Sequence, residues 1–269
     1  MDAKVQVRPP AVSGLFYPDE PAALRAAVEG YLDRAAEAAG AIEEPPPKAM
    51  IVPHAGYIYS GPVAASAYAR LRLFIEPIER VVLIGPAHRL PVRGLAASGA
   101  AAFATPLGDM AVDRAAVAGL SKFPQVVIDD RPHRAEHSLE VHLPFLQVIK
   151  PGLTIVPLAV GDTGFGEVGE VIDHLWDGRE TLIIVSSDLS HYYDYATARR
   201  LDAATARAIE ALRPEDIGVE QACGRIPVGG LLQVARRRGL SARMIDLRNS
   251  ADVAGIGGEV VGYGSSLLS

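Results

Sequence analysis

The chain has 269 residues, 49% of them hydrophobic and 22% charged, with a net charge of -6 spread along its length. That length is enough to bury a full core, as one large α/β domain or two smaller ones. The charge is no nucleic-acid footprint, no apolar run approaches the roughly 20 residues of a membrane span, and no signal-like stretch opens the chain, so a soluble cytoplasmic protein without nucleic-acid or membrane partners is expected. Cys223 is the only cysteine, which excludes an intrachain disulfide.

Pro9 to Pro18 carries too much proline for regular structure and too many large apolar groups for a free tail, so it should lie against the body. From Asp19, read as an N-cap, to about Ala39, the residues Leu24, Val28, Tyr31, Leu32 and Ala35 fall at helical spacing. Glu43-Glu44-Pro45-Pro46-Pro47 is a stiff feed into the first core strand, the apolar run at Met50-Ile51-Val52. Pro62 to Leu71 reads as a helix, Arg80 to Ile84 as a buried strand, Gly94 to Gly108 as a hairpin, and Asp113 to Leu120 as a short helix capped by Asp113. A helix is expected from Glu136 to Ile149, limited or kinked by Pro144.

Strands follow at Thr154 to Val160 and Thr181 to Ser187, separated by a helix at Glu167 to Trp176. Helices are expected at Ala196 to Leu212, Asp216 to Ala222 and Pro227 to Arg238. The run Arg236-Arg237-Arg238 sits at a helix C-terminus, and Gly229 and Gly230 hint at close packing. Strands near Ser241 to Leu247 and Glu259 to Leu267 close the chain. This alternation predicts an α/β fold, one three-layer domain over residues 1–269 with a largely parallel or mixed central sheet and helices on both faces.

Three strands end in polar residues, at His54, at His88 and at the Asp188/His191 pair, and a parallel sheet brings such ends to one edge. Two neutral imidazoles and one anionic ligand make a facial site with open positions, suited to iron(II), with zinc and copper as competitors. Asp188, Glu140 and Cys223 are the candidates for the third ligand, and Cys223 could equally be a small core residue. Asp188, close in sequence to His191, is expected to orient a histidine and not to bind the metal.

The motifs Gly14-Leu15-Phe16-Tyr17, Pro53-His54-Ala55-Gly56-Tyr57, Gly85-Pro86-Ala87-His88, Glu136-His137-Ser138-Leu139-Glu140, Ser186-Ser187-Asp188-Leu189-Ser190-His191 and Cys223-Gly224-Arg225-Ile226-Pro227 occur in one order over nearly the whole chain. In these the chain resembles the Memo family, known in prokaryotes as the AmmeMemoRadiSam system protein B. The resemblance implies a fold similar to type III extradiol dioxygenases, with cysteine replacing their carboxylate ligand. It assigns His54, His88 and Cys223 as metal ligands, His191 as an acid/base with Asp188 beside it, and Tyr57, His137 and Glu140 as pocket lining. Iron(II) is the expected metal, with copper or zinc as alternatives that a thiolate favours. The implied chemistry is oxygen-dependent or redox, on a small-molecule or peptide substrate. The rival readings are a vestigial pocket that binds a peptide or partner protein, and a zinc hydrolase. The family name also implies association with a radical-SAM protein and an AMMECR-like protein. Ile226 stands where some members carry another histidine, and the stretch between His191 and Cys223 is shorter than in those members.

Overall fold

Four apolar runs become parallel neighbours at the centre of a mixed sheet. In chain order the strands are β1 (Val7–Arg8), β2 (Ala49–Val52), β3 (Arg80–Pro86), β4 (Leu95–Ala97), β5 (Ala102–Thr105), β6 (Gly108–Ala111), β7 (Val126–Ile128), β8 (Thr154–Val160), β9 (Thr181–Ser186), β10 (His191–Asp194), β11 (Ala242–Asn249) and β12 (Glu259–Leu268). The computed structural model describes residues 6–40, 45–255 and 257–269. Strands β2, β9, β3 and β8 run parallel in that spatial order, with Val52 beside Ser186 and Ile84 beside Val185. β12 pairs antiparallel with β2, β10 and β11, while at the other side β4 is antiparallel to β8 and parallel to β7. β1, β5 and β6 form a separate small sheet.

The helices are α1 (Pro21–Ala39), α2 (Tyr57–Arg72), α3 (Arg114–Gly119), α4 (Leu143–Ile149), α5 (Phe165–Leu175), α6 (Tyr195–Glu210), α7 (Arg225–Arg238) and α8 (Ser250–Ala254). α1, α2 and α4 pack on one another, α5 and α7 form a second pair, and α7 also contacts β9 and β3. The result is a three-layer α/β domain. Every residue of β2 and β9 is buried, as expected of strands covered on both faces. Leu182, Ile183, Ile184 and Val185 are fully buried, each contributing about 1.5–3 kcal/mol, and their burial fixes where Ser186 emerges. Gly230 lets α7 sit close on α5, since a Cβ there would lie 2.6 Å from Val168 Cγ1. Among the described residues no helix is long and apolar enough to cross a membrane.

Several local expectations are corrected. Glu20, not Asp19, caps α1, its carboxylate accepting from the Ala22 and Ala23 amides. α2 begins at Tyr57 and carries Pro62 inside it, so a proline taken as a start lies within the helix. Gly94 to Gly108 is no simple hairpin: β4 joins the central sheet, and β5 pairs with β6 instead. The segment from Glu136 is irregular up to a 3-10 turn at Glu140–His142, with Glu136 accepting from the His137 and Ser138 amides, and α4 starts only at Leu143. Asp216 to Ala222 is not an α-helix but belongs to two 3-10 turns, Pro214–Asp216 and Val219–Gln221. Asp113 does cap α3, and Gly239 ends α7 in a left-handed conformation just past Arg236-Arg237-Arg238. Glu43 and Glu44, part of the expected proline-rich linker, lie outside the described residues.

Candidate metal centre

Because β9 lies between β2 and β3, the loops that follow these strands meet at one edge of the sheet, which places His54 and His88 on either side of the β9 end. Cys223 arrives from the turn before α7. Its amide donates to Asp188 O at 3.3 Å, and the Gly224 amide donates to Ser187 Oγ at 2.9 Å. Gly224 permits this approach, since a Cβ there would lie 2.6 Å from Ser186 O. Ligand atoms of His54, His88 and Cys223 then all lie within 4.8 Å of one another, and Cys223 Sγ is 3.3 Å from His54 Nε2.

Both rings are anchored through their other nitrogen. His54 Nδ1 is 2.6 Å from Ser186 Oγ. His88 Nδ1 is 2.9 Å from Glu136 Oε1, while Glu136 Oε2 accepts from the His88 amide at 2.5 Å. Metal-bound histidines are commonly held in this way, which fixes the ring and leaves Nε2 for the ion.

The electrostatics of the site agree with that division. Burial, then the neighbouring imidazoles of His88, His137, His142 and His191, holds His54 well below the ordinary histidine range, so it is neutral and able to ligate. Burial opposes the Glu136 charge, but the His88 hydrogen bond and the amides around it prevail and bring its carboxyl down to about 2. Burial, and then the Asp188 carboxylate, pushes the Cys223 thiol up to about 12. A cation bound between the three residues supplies the positive charge that turns such a thiol into a thiolate. The donors therefore fit a transition metal: two imidazoles, one ionisable sulfur and pre-set ring orientations.

The other expected site residues divide into two groups. His137 is at the centre, its ring stacked on His88 at 4.8 Å and tilted against Phe16 at 4.9 Å. His191 is nearby, with Nδ1 2.8 Å from Leu189 O. Asp188 does not orient a histidine ring. Its Oδ1 accepts from the main-chain amide of His54 at 2.7 Å, and burial raises its carboxyl to about 6.

Tyr57 and Glu140 are drawn away from the pocket into the interior. Tyr57 is buried, donates its hydroxyl to Val141 O at 2.7 Å and packs against Tyr17 and Phe145. Glu140 is fully buried and pairs with Arg8 at 2.6 Å. It also accepts from the Ala11 and Val12 amides and the Tyr17 hydroxyl, fastening the N-terminal segment to the body.

Four residues close to the site were missed from sequence. Glu136 holds His88, and Ser186 holds His54. Behind Ser186 lies His142, with Nε2 2.8 Å from Ser186 Oγ and Nδ1 2.9 Å from the Tyr68 hydroxyl. Burial brings His142 down to about 3, so it is neutral. The available signal was placement: Glu136 opens the segment that carries His137, and Ser186 is the last residue of the most strand-like run in the chain. His88, Glu136 and His137 also form a second group of clustered donor atoms, but Glu136 is already taken by His88 and by the His137 and Ser138 amides.

A family model described as Memo-like protein matches residues 8–267. A MEMO1 family protein of Aquifex aeolicus is 33% identical over 273 residues, covering 96% of this chain and 98% of the relative. Another, from Aeropyrum pernix, is 35% identical over 280 residues, with 96% and 98% covered. Among solved structures, that of an uncharacterized protein from Escherichia coli K12 is similar with a TM-score of 0.52 at 13% identity, covering 80% of this chain and 98% of that one, a likeness of fold alone. Matched by the family model over nearly its whole length, and by relatives at a third identity, the chain belongs to the Memo-like protein family.

Proposed function

We propose that this protein binds a transition metal, iron(II) first among the choices, through His54, His88 and Cys223, and uses it for oxygen-dependent or redox chemistry on a small molecule or peptide. The observation that carries the reading is the convergence of these three donors within 4.8 Å, with each imidazole anchored through Nδ1. Two histidines and one anionic ligand leave coordination positions open for substrate. The bound metal supplies the redox or Lewis-acid chemistry that side chains do not.

Around it the chain's own residues have separable tasks. Asp188 holds the His54 main chain, and Glu136 holds His88. The His137 ring, stacked on His88 and tilted against Phe16, forms a wall on one side of the ligands. His191, with Nδ1 turned to the Leu189 carbonyl, keeps Nε2 for taking up and returning a proton of the substrate.

The sulfur donor favours a second reading, a zinc hydrolase, because a thiolate is softer than a carboxylate and suits zinc and copper(I) as well as iron. Metal analysis of protein purified without oxygen, followed by measurement of oxygen uptake with added reductant, separates the two. Stoichiometric iron and oxygen consumption are expected. Zinc with no uptake in the iron-reconstituted protein contradicts the oxidative reading.

A further inference from the structure

We propose that Tyr68, His142 and Ser186 form a buried positioning chain that sets His54 in one tautomer, proton on Nδ1 and lone pair on Nε2, before any metal arrives. The effect on metal affinity rests on the metal-binding reading above, whereas the tautomer itself does not.

The argument is a count of protons. Ser186 Oγ has a single hydrogen and three neighbours: Ser138 O at 2.6 Å, His54 Nδ1 at 2.6 Å and His142 Nε2 at 2.8 Å. A carbonyl oxygen only accepts, so the hydroxyl proton goes to Ser138 O; without it, two oxygens would face each other at that distance with nothing between them. The hydroxyl oxygen must then accept from both rings, which puts a proton on His54 Nδ1 and another on His142 Nε2. Neutral His142 is left with a bare Nδ1. The Tyr68 hydroxyl, 2.9 Å away, donates to it and ends the chain.

At the other end His54 Nε2 carries a lone pair and faces Cys223 Sγ at 3.3 Å. That suits a protonated thiol in the empty site and a metal ion in the filled one.

Tyr68 and Ser186 have no exposed surface, and His142 and His54 are only 1% and 2% exposed. Water therefore cannot replace a missing partner. Turning either ring to its other tautomer unpairs a buried group, and the Ser138 main chain, which also accepts a hydrogen bond from the His142 ring, calls for a ring N–H on that side as well. Nothing in the packing of an apolar sheet edge calls for three linked polar side chains, and a fully satisfied buried network holds one arrangement. Tyr68 is thus a positioning residue two side chains removed from the ligand.

The test uses metal-free protein labelled with nitrogen-15 at histidine, whose long-range proton–nitrogen correlations report each ring's tautomer, and cobalt(II) as the binding probe. Wild type should show His54 protonated on Nδ1 and His142 on Nε2. Tyr68→Phe removes the donor to His142 Nδ1, so that nitrogen's resonance should move while Nε2 stays protonated, with cobalt bound several-fold more weakly. Ser186→Ala should weaken binding about 10- to 100-fold. If Ser186→Ala does not fold, Tyr68→Phe decides by itself. A wild-type His54 protonated on Nε2 overturns the proposal. So do a His142 Nδ1 resonance and a cobalt affinity that Tyr68→Phe leaves unchanged. If the tautomers are as stated and cobalt does not bind to wild type, the metal reading fails and the chain stands.

Discussion

Glu136 grips His88 twice: Oε1 lies 2.9 Å from the ring Nδ1, and Oε2 accepts from the main-chain amide at 2.5 Å. One carboxylate thereby sets both the position and the rotation of a proposed ligand. Glu136→Gln keeps the shape but replaces an accepting oxygen with an NH2 group that cannot accept. Cobalt affinity should fall about 10- to 100-fold with the far-UV spectrum unchanged. Affinity within a factor of two of wild type would remove Glu136 from the role given to it.

Arg8 links the N-terminal segment to the loop that carries Glu136. Besides its 2.6 Å ion pair with Glu140, it donates to His133 O and Glu136 O, each at 2.6 Å. Arg8→Ala leaves the Glu140 carboxylate buried without its cation, and a loss of about 3–5 kcal/mol in chemical denaturation is expected. Hydrogen exchange should quicken over residues 7–17 and 133–140. A loss below about 1 kcal/mol would mean that the pair contributes little.

Sequence reasoning reached the convergence of His54, His88 and Asp188 because each follows a bounded apolar run, and parallel strands share an edge. It could not reach the partners of Glu140. Arg8 is 132 residues away, and a long-range ion pair leaves no local pattern. Glu140 lies two residues from Ser138, whose neighbourhood does face the site, so its burial is decided by what packs over it. Tyr57 failed for a similar reason: it opens α2, and its ring is carried inward against Tyr17 and Phe145. Asp188 was placed beside the right histidines but grips the His54 backbone, a choice set by the neighbouring strand. The short β7 and β10 carried too few residues for an alternating pattern to register.

Acid should destabilise the metal-free protein through its buried histidines. Burial, chiefly, holds His54, His133, His137 and His142 below their ordinary range, His133 and His137 at about 4. Near pH 5 the unfolded chain therefore binds protons there that the folded chain does not, so stability falls as pH falls from about 6.5. Asp188, at about 6, and Asp202, also raised by burial, work in the opposite sense by keeping protons in the folded state. The four depressed histidines outnumber the two raised carboxylates, so the net direction is a loss of stability as pH falls from 7 to 5. Denaturation midpoints between pH 7 and 5 should show it, and a flat profile would contradict the assignment of neutral buried histidines.

Gly224→Ala tests how closely the cysteine turn must approach β9. The added Cβ would meet Ser186 O and Ser187 Cβ, both at 2.6 Å, so the turn has to move outward and take Cys223 with it. Stability should drop by about 1–3 kcal/mol, and cobalt affinity should fall further than that of a distant variant of equal stability. Unaltered affinity in a destabilised protein would mean that the sulfur is not a ligand.

The central claim, that His54, His88 and Cys223 hold one metal ion, is tested most directly by titrating cobalt(II) into wild type and Cys223→Ala while recording the near-ultraviolet spectrum. Wild type should bind one equivalent and develop the charge-transfer absorption of a cobalt–thiolate bond, and Cys223→Ala should lack the band and bind far more weakly. If wild type binds cobalt without that band and Cys223→Ala binds it with equal affinity, the sulfur does not coordinate and the proposed centre is wrong.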